Sequence, residues 1–363
     1  MSLADVDTPA LIVDLDAFER NLRRLPELLA GRDVALRPHA KTHKAPIIAR
    51  RQMALGAVGV CCQKVGEAEK MVQGGVTDVF VSNEIVGATK LRRLAQLAIS
   101  ARIATCVDDA GQVDALNQAA RAFGVKLGIL IEVDVGRRCG VAAGDAVAAL
   151  ADKVADSSHL ELRGLQAYHG SAQHLRTPAE RRAAVDGAIA AAEISRAALT
   201  KRGLPCPVVS GGGTGTFELE AASGVYNELQ CGSYIFMDAD YARNLDADGN
   251  PVATFEQSLY VWATVMSRPS DDRAILDAGH KAASIDSGYP LVPEVPGAKI
   301  VHMSDEHAKI ELERPVNSLR IGDKIRLVPG HCDPTVNLHD WYVAVRAGKV
   351  EALWMIAARG AMT

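Results

Sequence analysis

The sequence predicts an α/β architecture, a (β/α)₈ TIM-like barrel with a second, smaller C-terminal β domain, on three observations. Between residues 34 and 236, short β-rich runs alternate with Ala/Leu-rich amphipathic stretches. Eight such runs occur, and eight is the number that closes a barrel. After about residue 245 the helical spacing stops and turn-separated β runs take over.

The eight runs are VALRPHAK (34–41), GVCCQK (59–64), DVFVSN (78–83), ARIATCVD (101–108), KLGILIEVD (126–134), LRGLQAYHG (162–170), PVVSGGG (207–213) and ELQCGSYIF (228–236). Helical apolar spacing fills 44–55, 65–74, 87–99, 110–123, 142–155 and 178–202. Strand and helix at this rhythm imply parallel strands joined by right-handed crossovers. An open doubly wound sheet is the alternative. It is disfavoured because polar or Gly-rich tails follow nearly every strand instead of gathering at one switch point. The turn-rich DADGNP (246–251) reads as a linker. The opening TPALIVDLD is strand-like and precedes the first helix, so it is expected to join the later β runs. The expected division is residues 15–245 as the barrel, and 246–363 plus 1–14 as the β domain.

Composition narrows the function classes. Of 363 residues, 48% are apolar and 23% charged, with a net charge of −4 and no basic run, which argues against a nucleic-acid surface. Seven cysteines without a CxxC pair suggest free thiols in a reducing compartment. Asp5, Asp7, Asp14 and Asp16 do not fit a secretory leader, and no apolar run approaches the ~20 residues that span a bilayer. A cytoplasmic protein with no membrane or nucleic-acid partner is expected.

Chemistry in such a barrel sits at the C-terminal strand ends. Those ends carry Lys41, Gln63 with Lys64, Asn83, Asp108, Asp134 with Arg138, Tyr168 with His169, then Gly211 to Gly215, and Gly232-Ser233-Tyr234. The last two groups are Gly-rich turns on neighbouring strands, where backbone N–H groups can approach a phosphate. A plain tight turn is the other reading of either one. Lys41 ends the first strand. A lysine inside a barrel mouth can be desolvated, which lowers its pKa and makes it a Schiff-base nucleophile. An isolated lysine there could equally snorkel. An amine opposite a phosphate cup suggests pyridoxal phosphate.

Residues 34–45 (VALRPHAKTHKA), with GVCCQK, EVDVGRRCG, LQAYHGS, GGGTG, YNELQCGSY and HCDPTVNLHDW, resemble the D-threonine aldolases of the alanine-racemase-like fold. D-serine dehydratases and D-threo-3-hydroxyaspartate dehydratases share that fold. The resemblance covers essentially the whole chain. It implies that Lys41 carries pyridoxal phosphate and that Arg138 meets the cofactor's phenolic oxygen, with Arg137 as a substitute. Gln63 and Tyr168 would line the cofactor, while Gly213, Thr214, Gly215, Gly232, Ser233 and Tyr234 form the phosphate cup. It leaves the partner of the pyridine nitrogen unplaced.

In GHCDPTVNLHD, His331 and Asp333 lie two apart, so on an extended segment both face one side and Cys332 the other. An imidazole and a carboxylate suit a divalent ion: Mn²⁺ first, with Mg²⁺, Co²⁺ or Zn²⁺ as alternatives. The dehydratase relatives have His-x-Cys, a softer site, so His-x-Asp is the aldolase pattern. His174, in the loop after strand six, matches the histidine expected to act as general base; His39 and His43 pack or orient Lys41, and His339 and Asp340 support the metal. The resemblance thus implies a homodimeric lyase that cleaves D-threonine and related D-3-hydroxy amino acids to glycine and an aldehyde. A D-serine-type dehydratase, a racemase and a non-catalytic pyridoxal-phosphate carrier are the alternatives.

Overall fold

Parallel pairing of short strands, each followed by a helix, builds the first half of the computed structural model, which describes residues 1–136, 138–313 and 319–363. After β1 (Ala10–Asp14) and α1 (Leu15–Leu29) come β2 (Ala35–Leu36), α2 (Pro46–Ala54), β3 (Val60–Cys62) and α3 (Val65–Gln73). The alternation continues through β4 (Asp78–Glu84), α4 (Ala88–Leu97), β5 (Arg102–Val107), α5 (Ala110–Phe123), β6 (Leu127–Glu132) and α6 (Asp145–Ala155). It ends with β7 (Leu160–Gln166), α7 (Pro178–Lys201), β8 (Val208–Gly211), α8 (Phe217–Ala221) and β9 (Glu228–Leu229).

The sheet order is β2-β9-β8-β7-β6-β5-β4-β3. The chain around β2 closes the ring onto β3: Val58 N–H donates to Leu36 C=O (2.9 Å), Cys61 N–H to Pro38 C=O (2.8 Å) and Ala40 N–H to Cys61 C=O (2.7 Å). Helix starts follow local chemistry. In α7, Thr177 Oγ1 accepts from Glu180 N–H (3.3 Å), Glu180 Oε2 accepts from Thr177 N–H (3.0 Å), and Pro178 takes the first helical position. The short α8 had no expected counterpart, since five residues are too few for a periodic signal. The eighth run is regular only over β9, because its tail turns through Gly232 into a 3₁₀ turn at Ser233–Ile235.

Two layers fill the strands. Cys61, Phe80, Cys106 and Leu130 form an apolar cluster separate from the one the strands share with the helices. At one end Arg37 is buried between Glu228 (Nε to Oε2, 2.9 Å) and Asp78 (Nη1 to Oδ1, 2.6 Å). Burial opposes the charge on Arg37, but the two carboxylates hold it ionised.

The remaining chain is a β sheet that includes β1. Its strands are β10 (Leu259–Ser270), β11 (Arg273–Leu276), β12 (Ala298–Met303), β13 (Ala308–Leu312) and β14 (Lys324–Leu327). The one-turn helix α9 (Cys332–Val336), then β15 (Trp341–Arg346) and β16 (Lys349–Met355), complete it. Strand β1 lies between β10 (antiparallel) and β15 (parallel). This sheet docks over the barrel's strand tails. Ala239 N–H donates to Pro329 C=O (3.0 Å), Asp240 N–H to Gly330 C=O (3.1 Å), and Tyr342 Oη–H to His43 C=O (2.7 Å). Phe236 packs on Tyr342 with ring centroids 5.5 Å apart, inside one apolar cluster common to both parts. The segment with His331 and Asp333 is thereby held above the barrel mouth.

Removing Arg37 would leave the buried Glu228 carboxylate without its cation and take from the part-exposed Asp78 one of its two arginines. Arg37→Met is expected to lower unfolding free energy by about 3–5 kcal/mol, read from the urea midpoint. A midpoint unchanged from wild type would show that barrel closure does not depend on this triad.

Candidate active site

The backbone leaves β2 without regular structure, and Lys41 emerges at the mouth on two flanking histidines. His39 Nδ1 accepts from Lys41 N–H (3.3 Å), and its Nε2 meets Ser82 Oγ (3.2 Å). His43 Nδ1 accepts from Ala45 N–H (3.1 Å). Burial pushes both imidazoles down to about 3, so both are neutral supports for the lysine segment.

Lys41 stands between two cavities. One, of about 370 Å³, is lined by Lys41, Gln63, Arg138, Tyr168, Gln166 and Gln230. The other, of about 780 Å³, lies under the β domain and is lined by Lys41, Gln63, Lys64, Asp286, His331 and Asp333. Both fall in the size range of small-molecule sites, roughly 300–1,000 Å³.

The Lys41 ammonium pairs with Asp333 Oδ2. Burial works to lower the lysine's pKa, but the Asp333 carboxylate outweighs it and holds Lys41 above the ordinary lysine value. The expected depressed lysine is therefore corrected: it is charged because the β domain supplies its counter-ion. Asp333 is pushed upward by burial and more strongly downward by Lys41 and His331, and stays well below the usual carboxylate range.

The two residues expected to hold a metal share the larger cavity, though not on an extended strand. His331 is extended (φ −143°) and caps α9, which begins at Cys332. Cys332 is fully buried in the core, while Asp333 opens to the cavity. The opposite facing of Cys332 comes from a helix start, not from strand alternation. His331 Nδ1 contacts Asp286 Oδ2 (2.7 Å), which leaves Nε2 as the free ring nitrogen. An imidazole steadied by a second carboxylate, beside a carboxylate on the same cavity, fits a divalent ion. His339 bonds instead to Ala282 C=O (2.7 Å), and Asp340 pairs with Arg359 (2.5 Å).

His174 ends a 3₁₀ turn, Ser171–His174, and its Nδ1 pairs with Asp240 Oδ2. Burial works to raise Asp240, but hydrogen bonds from Arg176 (2.5 Å) and His174, with Arg243 also at 2.7 Å, hold it below the ordinary value. A carboxylate cannot donate, so Nδ1 carries the proton and Nε2 is left basic. His174, Asp240 and Arg243 share a third cavity with Asp286 and His331, which puts His174 across from His331.

The Gly-rich turns meet where Tyr234 N–H donates to Thr214 Oγ1 (3.1 Å). A Cβ on Gly213 would lie 2.5 Å from Gln173 Oε1, and one on Gly232 2.5 Å from Thr42 Oγ1, so both positions admit only glycine without rearrangement. Gly215 N–H donates to Gln173 Oε1 (2.9 Å), where a phosphate oxygen could accept. Ser233 is buried beside these turns. The Tyr234 side chain is not part of the cup. Its ring is buried against Phe255, and its hydroxyl accepts from Gln52 (3.1 Å). Thr214 and Gly215 line a neighbouring cavity of about 310 Å³ instead of the one facing Arg138. An amine, an arginine, an aromatic ring and a glycine cradle together fit pyridoxal phosphate.

Arg138 lies 3.5 Å from Glu132 Oε1, while Arg137 lies outside the described residues. Among the described residues, Glu84, Glu132 and Cys139 form the one cluster of three metal-ligand types. Burial, then Glu84, pushes Glu132 up to about 7, and burial also raises the Cys139 thiol. Sequence reasoning missed Glu132, Gln173, Asp240, Asp286 and the paired amides Gln166 and Gln230 (2.6 Å). Inward alternation along β6 could have flagged Glu132; the others have no local signal.

Residues 13–240 match the family profile described as alanine racemase, N-terminal domain, and residues 258–345 match a serine dehydratase domain. The chain is 50% identical to a D-threonine aldolase from Arthrobacter sp., over 99% of this chain and 94% of that protein. It is 46% identical to a 3-hydroxy-D-aspartate aldolase from Paracoccus denitrificans, with the same coverage. The crystal structure of D-threonine aldolase from Filomicrobium marinum superposes with a TM-score of 0.96 at 51% identity, over 100% of this chain and 98% of that one.

The raised Glu132 carboxyl gives a test that needs no ligand. A folded-state pKa above the unfolded one contributes stability present below the ordinary value of 4.5 and lost as pH rises through about 7. Glu132→Gln removes that loss. Its stability relative to wild type should rise between pH 5 and pH 8 by on the order of 2–3 kcal/mol, measured by urea unfolding. A pH-independent difference would show that Glu132 ionises normally.

Proposed function

The chain belongs to the family of the D-threonine aldolases, and from that premise we propose that it cleaves D-threonine and related D-3-hydroxy amino acids between Cα and Cβ. The products are glycine and an aldehyde. The observation that carries the reading is the placement of Lys41 between a cofactor-sized cavity and one that carries His331 and Asp333. Lys41 would hold pyridoxal phosphate; Gln63, Arg138 and Tyr168 would line it, and Gly213, Thr214, Gly215, Gly232 and Ser233 would receive its phosphate. Of the expected cup, Tyr234 would contribute only backbone. His331 and Asp333 would hold a divalent ion, with Mn²⁺ the first candidate.

When bound, the cofactor supplies an electron sink for the pair left on Cα, and the ion supplies a Lewis acid for the β-hydroxyl. The chain's own part is positional and protonic. Asp240 accepts the Nδ1 proton of His174, so Nε2 faces the cavity as a base for the β-hydroxyl proton. Arg176 and Arg243 keep Asp240 ionised for that task. Asp286 fixes the ring of His331 in the same manner. A dehydratase of the His-x-Cys kind has less support, because Cys332 is fully buried and Asp333 takes the cavity position.

The assembly is read as a homodimer. Trp341, Leu353 and Met355 lie about half exposed on the β15–β16 pair, an apolar strip suited to a second copy. A sedimentation mass of one chain at micromolar concentration would overturn this. All seven cysteines are free, which supports a reducing, cytoplasmic setting. No helix among the described residues is long and apolar enough to cross a membrane.

Borohydride reduction of the loaded enzyme should leave the pyridoxyl label on the peptide with Lys41, and Lys41→Ala should lose both label and turnover. EDTA should abolish D-threonine cleavage without removing the label, and Mn²⁺ should restore it. Asp333→Ala should behave like the stripped enzyme, Cys332→Ser should change little, and His174→Ala should lower kcat by about 10²–10⁴-fold. Full activity in chelator, or a label on Lys44 or Lys64, would overturn these assignments.

A further inference from the structure

His174 and His331 line one cavity of about 600 Å³, and each is held by a carboxylate of its own, Asp240 and Asp286. The two carboxylates belong to different halves of the molecule. Asp240 lies in the loop after β9, and Asp286 in a turn between β11 and β12. That turn is tied to the β domain on both sides. Ser284 N–H donates to Thr335 Oγ1 in α9 (3.1 Å), and Leu291 N–H donates to Val328 C=O (2.9 Å). These ties run within the β domain and do not reach the barrel.

Arg243 reaches across. Its Nη2 donates both to Asp240 Oδ1 (2.7 Å) and to Ser287 C=O (2.7 Å), so one nitrogen meets an acceptor from each half. Ser287 adjoins Asp286, and its hydroxyl donates to Asp286 Oδ2 (3.3 Å). Two backbone contacts close the circuit. Asp240 N–H donates to Gly330 C=O (3.1 Å), and a Cβ on Gly330 would lie 2.2 Å from the Gly288 oxygen. Arg176 supplies the comparison. It bonds the same Asp240 carboxylate (2.5 Å), and its other bonds go to Asp240 C=O (2.7 Å) and Asn244 Oδ1 (2.9 Å), all on the barrel side. The two arginines thus share Asp240 and differ in the bond to Ser287. An ion pair as exposed as that of Arg243 contributes little to stability, so the bond bears on geometry, where a misplacement of about 1 Å can cost ~10²-fold in rate.

We propose that Arg243 is a positioning residue that fixes the separation of the base His174 from the metal ligand His331, by tying Asp240 to the turn that carries Asp286. This rests on the aldolase reading of the two histidines and adds the element that holds them in register.

Hydrogen exchange and metal binding on the pyridoxal-phosphate-loaded enzyme test it together. Without added metal, Arg243→Met should raise deuterium uptake in the peptide containing Asp286 to Gly288, and Arg176→Met should not. With Mn²⁺ as the probe, Arg243→Met should weaken binding by about 5- to 10-fold, Arg176→Met by less than about twofold, and Asp286→Asn by about 10- to 100-fold. Added to Asp286→Asn, Arg243→Met should cost less than about a further twofold, because both act through one turn. In Arg243→Met, kcat for D-threonine should fall while KM stays within about threefold. Arg243→Lys should recover most of both readouts, since one ammonium can meet the two acceptors that Nη2 meets. Arg243→Gln makes the same test with a milder change should the Met variant not fold. Unchanged uptake in Arg243→Met would overturn the proposal, and so would equal effects of Arg176→Met. Raised uptake with Mn²⁺ affinity unchanged would overturn it too, by making the tie structural only. A wild type that neither binds Mn²⁺ nor cleaves D-threonine would instead count against the aldolase reading, and the exchange comparison would still decide whether Arg243 holds the turn.

Discussion

A single ion pair joins the two halves of the molecule at the point where they must act together. Lys41 comes from the turn that follows the first barrel strand, and Asp333 from the start of a one-turn helix 292 residues later. Asp333 is nearly buried, and an unpaired carboxylate there would carry a desolvation cost of several kcal/mol, as buried ions generally do. The pairing is possible because the β domain is seated firmly. Asp238 Oδ2, from the loop after β9, accepts from Cys332 N–H (2.9 Å), next to the backbone bonds from Ala239 and Asp240 to Pro329 and Gly330. The barrel sets where the amine stands, and the second domain sets its charge.

A second constraint runs along the barrel axis. Arg37 holds Glu228, Glu228 accepts from Ser210 (2.8 Å), and Ser210 accepts from Gln230 (2.8 Å), whose amide meets Gln166 at the floor of the smaller cavity. Each polar group in this chain finds its partner on another strand. Buried amides and carboxylates would be costly singly, but as a connected set they fix strand register around the closure formed by two-residue strands. The smaller cavity is thus lined by the neutral amides of Gln63, Gln166 and Gln230 as well as by the charged Lys41 and Arg138.

Much of this was legible because barrel chemistry is written at strand ends, where alternation and turn residues are local features. Lys41, Gln63, Arg138 and Tyr168 fall on one cavity for that reason. What stayed hidden were the partners. Asp240 is 66 residues from His174, and Asp286 is 45 from His331; no spacing rule links a loop carboxylate to a distant imidazole. The charge state of Lys41 was misjudged for the same reason, since desolvation is a property of the strand end but Asp333 arrives from another domain. Gln173 lies in the 3₁₀ turn Ser171–His174 and has no pattern to mark it, although it takes the Gly215 amide. Tyr234 sits in the matching motif, yet its apolar ring belongs to the core, and only its backbone serves the turn.

The pairing pattern also explains how the site can exist without ligands. Three of the groups assigned a role are held by a partner from elsewhere in the fold: Lys41 by Asp333, His331 by Asp286 and His174 by Asp240, which is held in turn by Arg176 and by its near neighbour Arg243. Such cross-element pairs lock rotamers before any ligand arrives, so little ordering entropy remains to be lost on binding. They also impose an exchange. A cation that takes Asp333 must displace the Lys41 ammonium, and an amine released from that carboxylate loses the charge partner that held its proton. Lys41 and the Asp333 carboxylate are thus parts of one electrostatic unit, and the distance between them in the chain is what makes the docking of the β domain a requirement for the pair.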